Sequence, residues 1–162
     1  MAMAEGTKYE RKYLAHYIDS AFSTSSPSYI RLGKDLEDYS IALNPDVETK
    51  KNILGESTTN VKGYAPQGSV STYYAYKGDA LYNQLLEAIN ERSTGSKLAT
   101  TVVDVIVDSE GTVESAYRED AIIVPQSIGG ADGIQIPFEI YYVGNRKSGD
   151  FDINTKTFTE QT

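Results

Sequence analysis

The chain has 162 residues, no Cys and no Trp, and 15 Lys plus Arg against 23 Asp plus Glu, for a formal charge of -8. That length suits one domain with a sizeable core, and the absence of Cys excludes disulfides and thiolate metal sites while permitting a reducing compartment. The acidic balance argues against a surface built to neutralise phosphates. No apolar run approaches the ~18 residues of a membrane helix.

Residues 1 to 8 read as a loose polar arm without the apolar centre of a secretory signal, and residues 9 to 162 as the domain. The chain is read as soluble, made in the cytoplasm and without a membrane partner. His16, the only histidine, lies in a Tyr-rich stretch, Tyr13 to Tyr17, that reads as a strand. With no Cys and no G-x-S-x-G motif beside it, it reads as a packed or surface residue rather than a catalytic base.

Tyr39, Ile41 and Leu43 alternate with Ser40 and Asn44, a period of two that suits a half-buried strand ended by Asn44-Pro45. From Pro45 to Gly68 the chain is polar, with Asp46, Glu48, Lys50, Lys51, Glu56 and Lys62 among a few apolar residues. This reads as extended strands and a long protruding loop. One helix is predicted, from Asp79 to about Arg92: Leu81, Leu85 and Ile89 recur every fourth residue and Leu86 widens the stripe. Asp79 serves as its N-cap and Gly95 as the left-handed residue that closes it.

Between Leu98 and Asp108, one strand face is expected to carry Ala99, Thr101, Val103, Val105 and Val107. The other carries Thr100, Asp104 and Asp108. Asp108-Ser-Glu-Gly111 reads as a turn. The clearest alternation sets Ile134, Ile136, Phe138, Ile140 and Tyr142 against Gln135, Pro137, Glu139 and Tyr141, with Pro137 favouring an edge or bulge. Asp150 to Thr159 reads as a hairpin turning at Asn154 to Lys156. Many short strands and one helix predict a mainly β fold, a β-sandwich or open barrel with a flanking helix.

No constellation carries catalysis. Asp150, Asp152 and Asn154 imitate the start of a calcium loop, but Thr155 stands where the turn glycine is needed and Gln161 where the bidentate glutamate is needed. Gly129, Gly130 and Gly133 lead into a strand rather than a phosphate-binding helix. Asp35, Glu37 and Asp38 read as a solvated loop. No cofactor, catalytic residue or metal ligand is expected. The 13 Tyr against 4 Phe suggest rings at an interface or a wet groove.

In order, Asp38-Tyr-Ser-Ile-Ala-Leu-Asn-Pro45, Val47-Glu-Thr-Lys-Lys-Asn-Ile53 and Glu56-Ser-Thr-Thr-Asn-Val-Lys-Gly-Tyr64 resemble the N-terminal half of major tail tube proteins of long-tailed (siphovirus-type) phages and prophages of Gram-positive bacteria. Ala75-Tyr-Lys-Gly-Asp79, Ile140-Tyr-Tyr-Val-Gly144, Gly149-Asp-Phe-Asp152 and Lys156-Thr-Phe-Thr159 resemble the rest, so the likeness spans about residues 35 to 160. It implies a structural, non-enzymatic subunit. Six-membered rings of it would stack into a hollow tube in the virion, assembled in the host cytoplasm, with tape measure and tail terminator proteins as partners and genomic DNA passing without specific binding. On that footing Pro45, Asp46, Glu48, Lys50, Lys51 and Glu56 are expected to reach a neighbouring subunit or ring. Glu139, Asp104 and Asp108 are candidates to line the lumen, and Leu81, Leu85, Leu86 and Ile89 to pack the helix on the sandwich. The inner tube of a contractile tail and a carbohydrate-binding β-sandwich remain the alternatives, the lack of Trp weighing against the latter.

Overall fold

The β-branched run of residues 99–107 and the alternating segments after it form the middle of one antiparallel sheet in the computed structural model, which describes residues 3–23 and 25–161. In chain order the strands are β1 (Leu14–Asp19), β2 (Tyr29–Arg31), β3 (Ile41–Ala42), β4 (Pro45–Lys51), β5 (Ser57–Tyr64) and β6 (Gln67–Val70). The α-helix α1 (Ala80–Glu91) follows, then β7 (Ala99–Val107), β8 (Val113–Pro125), β9 (Phe138–Asp152) and β10 (Thr157–Glu160). The sheet runs β2-β1-β7-β8-β9-β6-β3, with β10 paired to the far end of β9, while β4 and β5 form a separate two-stranded hairpin. Residues 3–8 carry no strand or helix, and Met1 and Ala2 of the expected arm lie outside the described residues.

The sheet is covered on both faces. On one, Ile18, Val102, Ala121, Ile123, Phe138, Ile140 and Tyr142 pack under Leu81 and Leu85 of the helix. On the other, Ala15, Tyr17, Tyr29, Val103, Val105 and Ala116 pack under Phe151, with Ile153 and Phe158 at the margin. The second cover exists because β9 is 15 residues long: its start pairs with β6 and β8, and its end leaves with β10 as a hairpin over the opposite face. Gly144, at φ 110°, takes a turn in β9 that side chains rarely adopt. Gly149 lets β10 approach closely, since a Cβ there would meet the Thr159 carbonyl oxygen.

Two-sided cover buries both faces of β7. Thr100 and Thr101 are both buried: the Thr100 hydroxyl donates to the Asp19 carbonyl and Thr101 shares a 2.7 Å hydrogen bond with the Tyr29 hydroxyl. Two readings change. The alternating stretch before β9 starts in irregular chain, so Ile134 is exposed while Ile136 is buried, and Pro137 precedes a central strand rather than marking an edge. Of Tyr39, Ile41 and Leu43, only Ile41 lies in a strand. Tyr39 is buried and Leu43 exposed.

Helix α1 begins as expected, with the Asp79 carboxylate accepting the Leu81 backbone N–H. It ends earlier than Gly95: Arg92 takes the left-handed conformation at φ 52°, and Ser93 N–H bonds the Ala88 carbonyl. Leu81 and Leu85 are fully buried. Ile89 packs at the rim of the same cluster together with Tyr82, while Leu86 is half-buried outside it. Leu85→Ala should lower stability by about 2 to 5 kcal/mol, read as a drop in the urea midpoint of the monomer. An unchanged midpoint would show that this leucine does not carry the helix onto the sheet.

Candidate assembly surfaces

The hairpin β4–β5 stands clear of both cores. Of its strand residues only Glu48 and Gly63 are half-buried, and the rest are exposed. Its register makes it amphipathic: Val47 faces Val61 and Thr49 faces Thr59 on one side, while Glu48, Lys50, Asn60 and Thr58 share the other. Glu48 there holds Lys50 at 3.3 Å and Lys62 at 2.9 Å. The connecting turn is tied by Asn52, whose side-chain oxygen accepts the Leu54 and Glu56 N–H groups and whose amide donates to Glu56. This fixed turn projects Ile53, 102% exposed, and Leu54, 77% exposed. The expected residues Pro45, Asp46, Glu48, Lys50, Lys51 and Glu56 all lie on the hairpin. The two apolar residues at its tip carry no distinguishing sequence signal, because two aliphatics in a polar run look like buried ones until the fold shows nothing beneath them.

At the base of the hairpin, the helix-side face of the sheet continues as an open groove of about 820 Å³. Leu14, Leu43, Tyr64, Ile106, Tyr117 and Val143 line it and all remain exposed. Its charged members are paired. Arg146 reaches Glu119 at 3.1 Å and lies over the Tyr117 ring at 4.3 Å. Asp104 accepts from His16 Nδ1 at 2.7 Å.

Behind the groove, Arg11 donates to His16 Nε2 at 3.0 Å and to the carbonyls of Leu14 and Tyr39. Guanidinium can only donate, so Nε2 accepts and the imidazole proton sits on Nδ1, directed at Asp104. Both ring nitrogens are therefore engaged, and among the described residues no hydroxyl is bonded to the ring. The sequence places His16 in a strand but carries no sign of this pairing, whose members lie 88 residues apart. Tyr39 packs edge-on against His16 and shares a 2.8 Å hydrogen bond with Tyr142. Burial pushes both phenols well above the usual tyrosine range, and the Asp104 charge pushes in the same direction.

The three acids expected at a lumen occupy three different settings. Asp104 shares the helix-side face with Val102 and is held by His16. Asp108 accepts the Glu110 and Thr112 N–H groups in the β7–β8 turn. Glu139 lies on the opposite face, between Val124 and Ser69, and accepts from the Tyr141 hydroxyl at 2.6 Å. In the β9–β10 turn, Asp152 spends its carboxylate on the Asn154 and Thr155 N–H groups, which hold its pKa below the usual value. Among the described residues no cluster of three His, Asp or Glu is set to hold a metal, and no helix is long and apolar enough to cross a membrane.

No family model matches the sequence, and no curated protein matches it. Solved structures do match the fold. A sheath/tube terminator of the extracellular contractile injection system PVC, in the extended state, aligns with TM-score 0.58 at 9% identity over 91% of this chain and 100% of that one. The tube-terminating cap of the anti-feeding prophage (AFP) aligns with TM-score 0.56 at 12% identity, over 90% of this chain and 93% of that one. A chain of the six-fold symmetrised AFP baseplate aligns with TM-score 0.54 at 12% identity, over 90% and 97%. At these identities what is shared is the fold, over nearly the whole of each chain.

Buried and half-buried phenols set an alkaline limit. Tyr39, Tyr73 and Tyr142 have folded-state pKa values raised above the unfolded value of ~10. The neutral forms stabilise the fold fully below that pH, and the contribution is lost as pH rises beyond it. The urea midpoint should fall from about pH 10 upward, and Tyr142→Phe should shrink the alkaline drop.

Proposed function

We propose that this protein is a structural subunit of a phage tail or tail-like particle, a tube component that assembles with copies of itself and catalyses nothing. The observation that carries the reading is the end-to-end sharing of its fold with components of such particles, a tube terminator and a tube cap among them. The ordered resemblance of residues 35 to 160 to tail tube proteins supports the same reading. So does the hairpin, since two strands with no core of their own are marginal in water without a partner surface. The finer reading is a subunit of stacked six-membered rings in a non-contractile virion tail, built in the host cytoplasm alongside tape measure and terminator proteins. One fold neighbour comes from a contractile injection system, which supports extending that reading to an inner tube of that kind.

A second reading is a ring that ends the tube instead of building it, favoured by the terminator and cap among the matching structures. Negative-stain electron microscopy of concentrated protein separates them: long tubes support the tube subunit, single closed rings the terminating ring, and monomers at every concentration refute both. The carbohydrate-binding alternative has less support, because Arg146 covers the Tyr117 face that a sugar would stack on.

In the tube reading, the sheet face opposite the helix lines the conduit. It presents Glu139 with Ser69, Gln67 and Tyr141, and a carboxylate repeated around each ring keeps a passing polyanion from adhering. Glu139→Lys should leave the monomer folded and make assembled tubes retain DNA in a salt-sensitive manner, measured by co-sedimentation at low and high salt. Tubes that bind DNA no better than the parent would remove Glu139 from the lumen.

A further inference from the structure

We infer that the tip of the β4–β5 hairpin, Ile53 and Leu54, seats in the apolar groove of a second copy of this chain, beside Leu43, Tyr64, Ile106, Tyr117 and Val143. The inference rests on the proposal that copies assemble, and it names the surface through which they do so.

Each copy holds one projecting apolar tip and one unfilled apolar groove. A tip cannot fill its own groove. Leu43 and Tyr64, at the hairpin base, belong to the groove wall, whereas the seven residues of β4 carry the turn away by roughly 24 Å at about 3.4 Å per residue. The Asn52-centred hydrogen bonds hold the turn in shape, so the tip is presented ordered and loses little freedom on docking.

Charge does not oppose a second copy as the occupant. Near the tip Lys50 and Lys51 stand against Glu48 and Glu56, and in the groove Arg146 pairs with Glu119 and His16 holds Asp104, so no bare like charges meet although each whole chain carries -8. The area needed for a stable contact, about 800 Å² per partner, exceeds two side chains. The exposed Val47 and Val61 of the hairpin's apolar side supply the continuation along the groove rim. Tip and groove are different surfaces, so the contact is head-to-tail and repeats from copy to copy, closing a ring or propagating a filament according to the rotation.

The natural absence of Cys makes the test direct. Leu54→Cys and Val143→Cys single variants, mixed at a concentration where the parent protein assembles and then mildly oxidised, should give a dimer containing one of each, because a disulfide forms only when the Cβ atoms come within about 4.5 Å. Leu54→Cys mixed with Glu87→Cys, on the exposed helix face, should not. Ile53→Asp with Leu54→Asp should keep the parent urea midpoint and raise the concentration needed for assembly at least about tenfold. Assembled protein without the Leu54–Val143 cross-link, or with Leu54–Leu54 dimers alone, overturns the docking and leaves the tail reading standing. A parent protein that stays monomeric throughout overturns both.

Discussion

The structure depends on a sheet that must be dry on both sides. Val102 on one face of β7 and Val103 and Val105 on the other are all fully buried, so this strand tolerates solvent on neither side. A single sheet meets that demand only if two separate pieces of chain are brought to its two faces. The helix is the local solution, delivered by the chain just before β7. The other cover is remote: β9 has to run past β8 and carry β10 over the opposite face, which accounts for its 15 residues and its turn at Gly144.

Committing both covers near the centre leaves other parts of the sheet bare. Beyond the end of α1 the helix-side face becomes the groove, where Ile106, Tyr117 and Val143 stay exposed for want of a third layer. On the opposite face, the segment around Glu139 and Tyr141 lies outside the area covered by Phe151 and Phe158. The hairpin β4–β5 is likewise chain for which no core remains. These three bare regions exist for one reason, that the protein supplies two covers for more sheet than two covers can hide.

Beneath the groove, the polar groups are arranged to stay quiet. Arg11 and Asp104 engage both nitrogens of His16, Arg146 neutralises Glu119, and the phenols of Tyr39 and Tyr142 satisfy each other. A buried network with its partners in place gives the groove a firm floor.

The sequence by itself determined the elements with strong local periodicity: the helix with its Asp79 cap, the β-branched β7, the alternating start of β9, the Asp108 and Asn154 turns, and a polar excursion after Pro45. Each rests on contacts within a few residues, which is why spacing and turn chemistry suffice. Only the tertiary structure decided which apolar residues were dry. Ile134, Ile53 and Leu54 carry the same side-chain chemistry as Ile136 and Leu85, yet the first three are exposed and the last two buried. Period two tells which residues share a face and says nothing of what covers it, and cover here comes from chain tens of residues away. The pairing of His16 with Asp104, 88 residues apart, was invisible for the same reason: it is created by the register of β1 on β7, a non-local fact that no window of sequence contains.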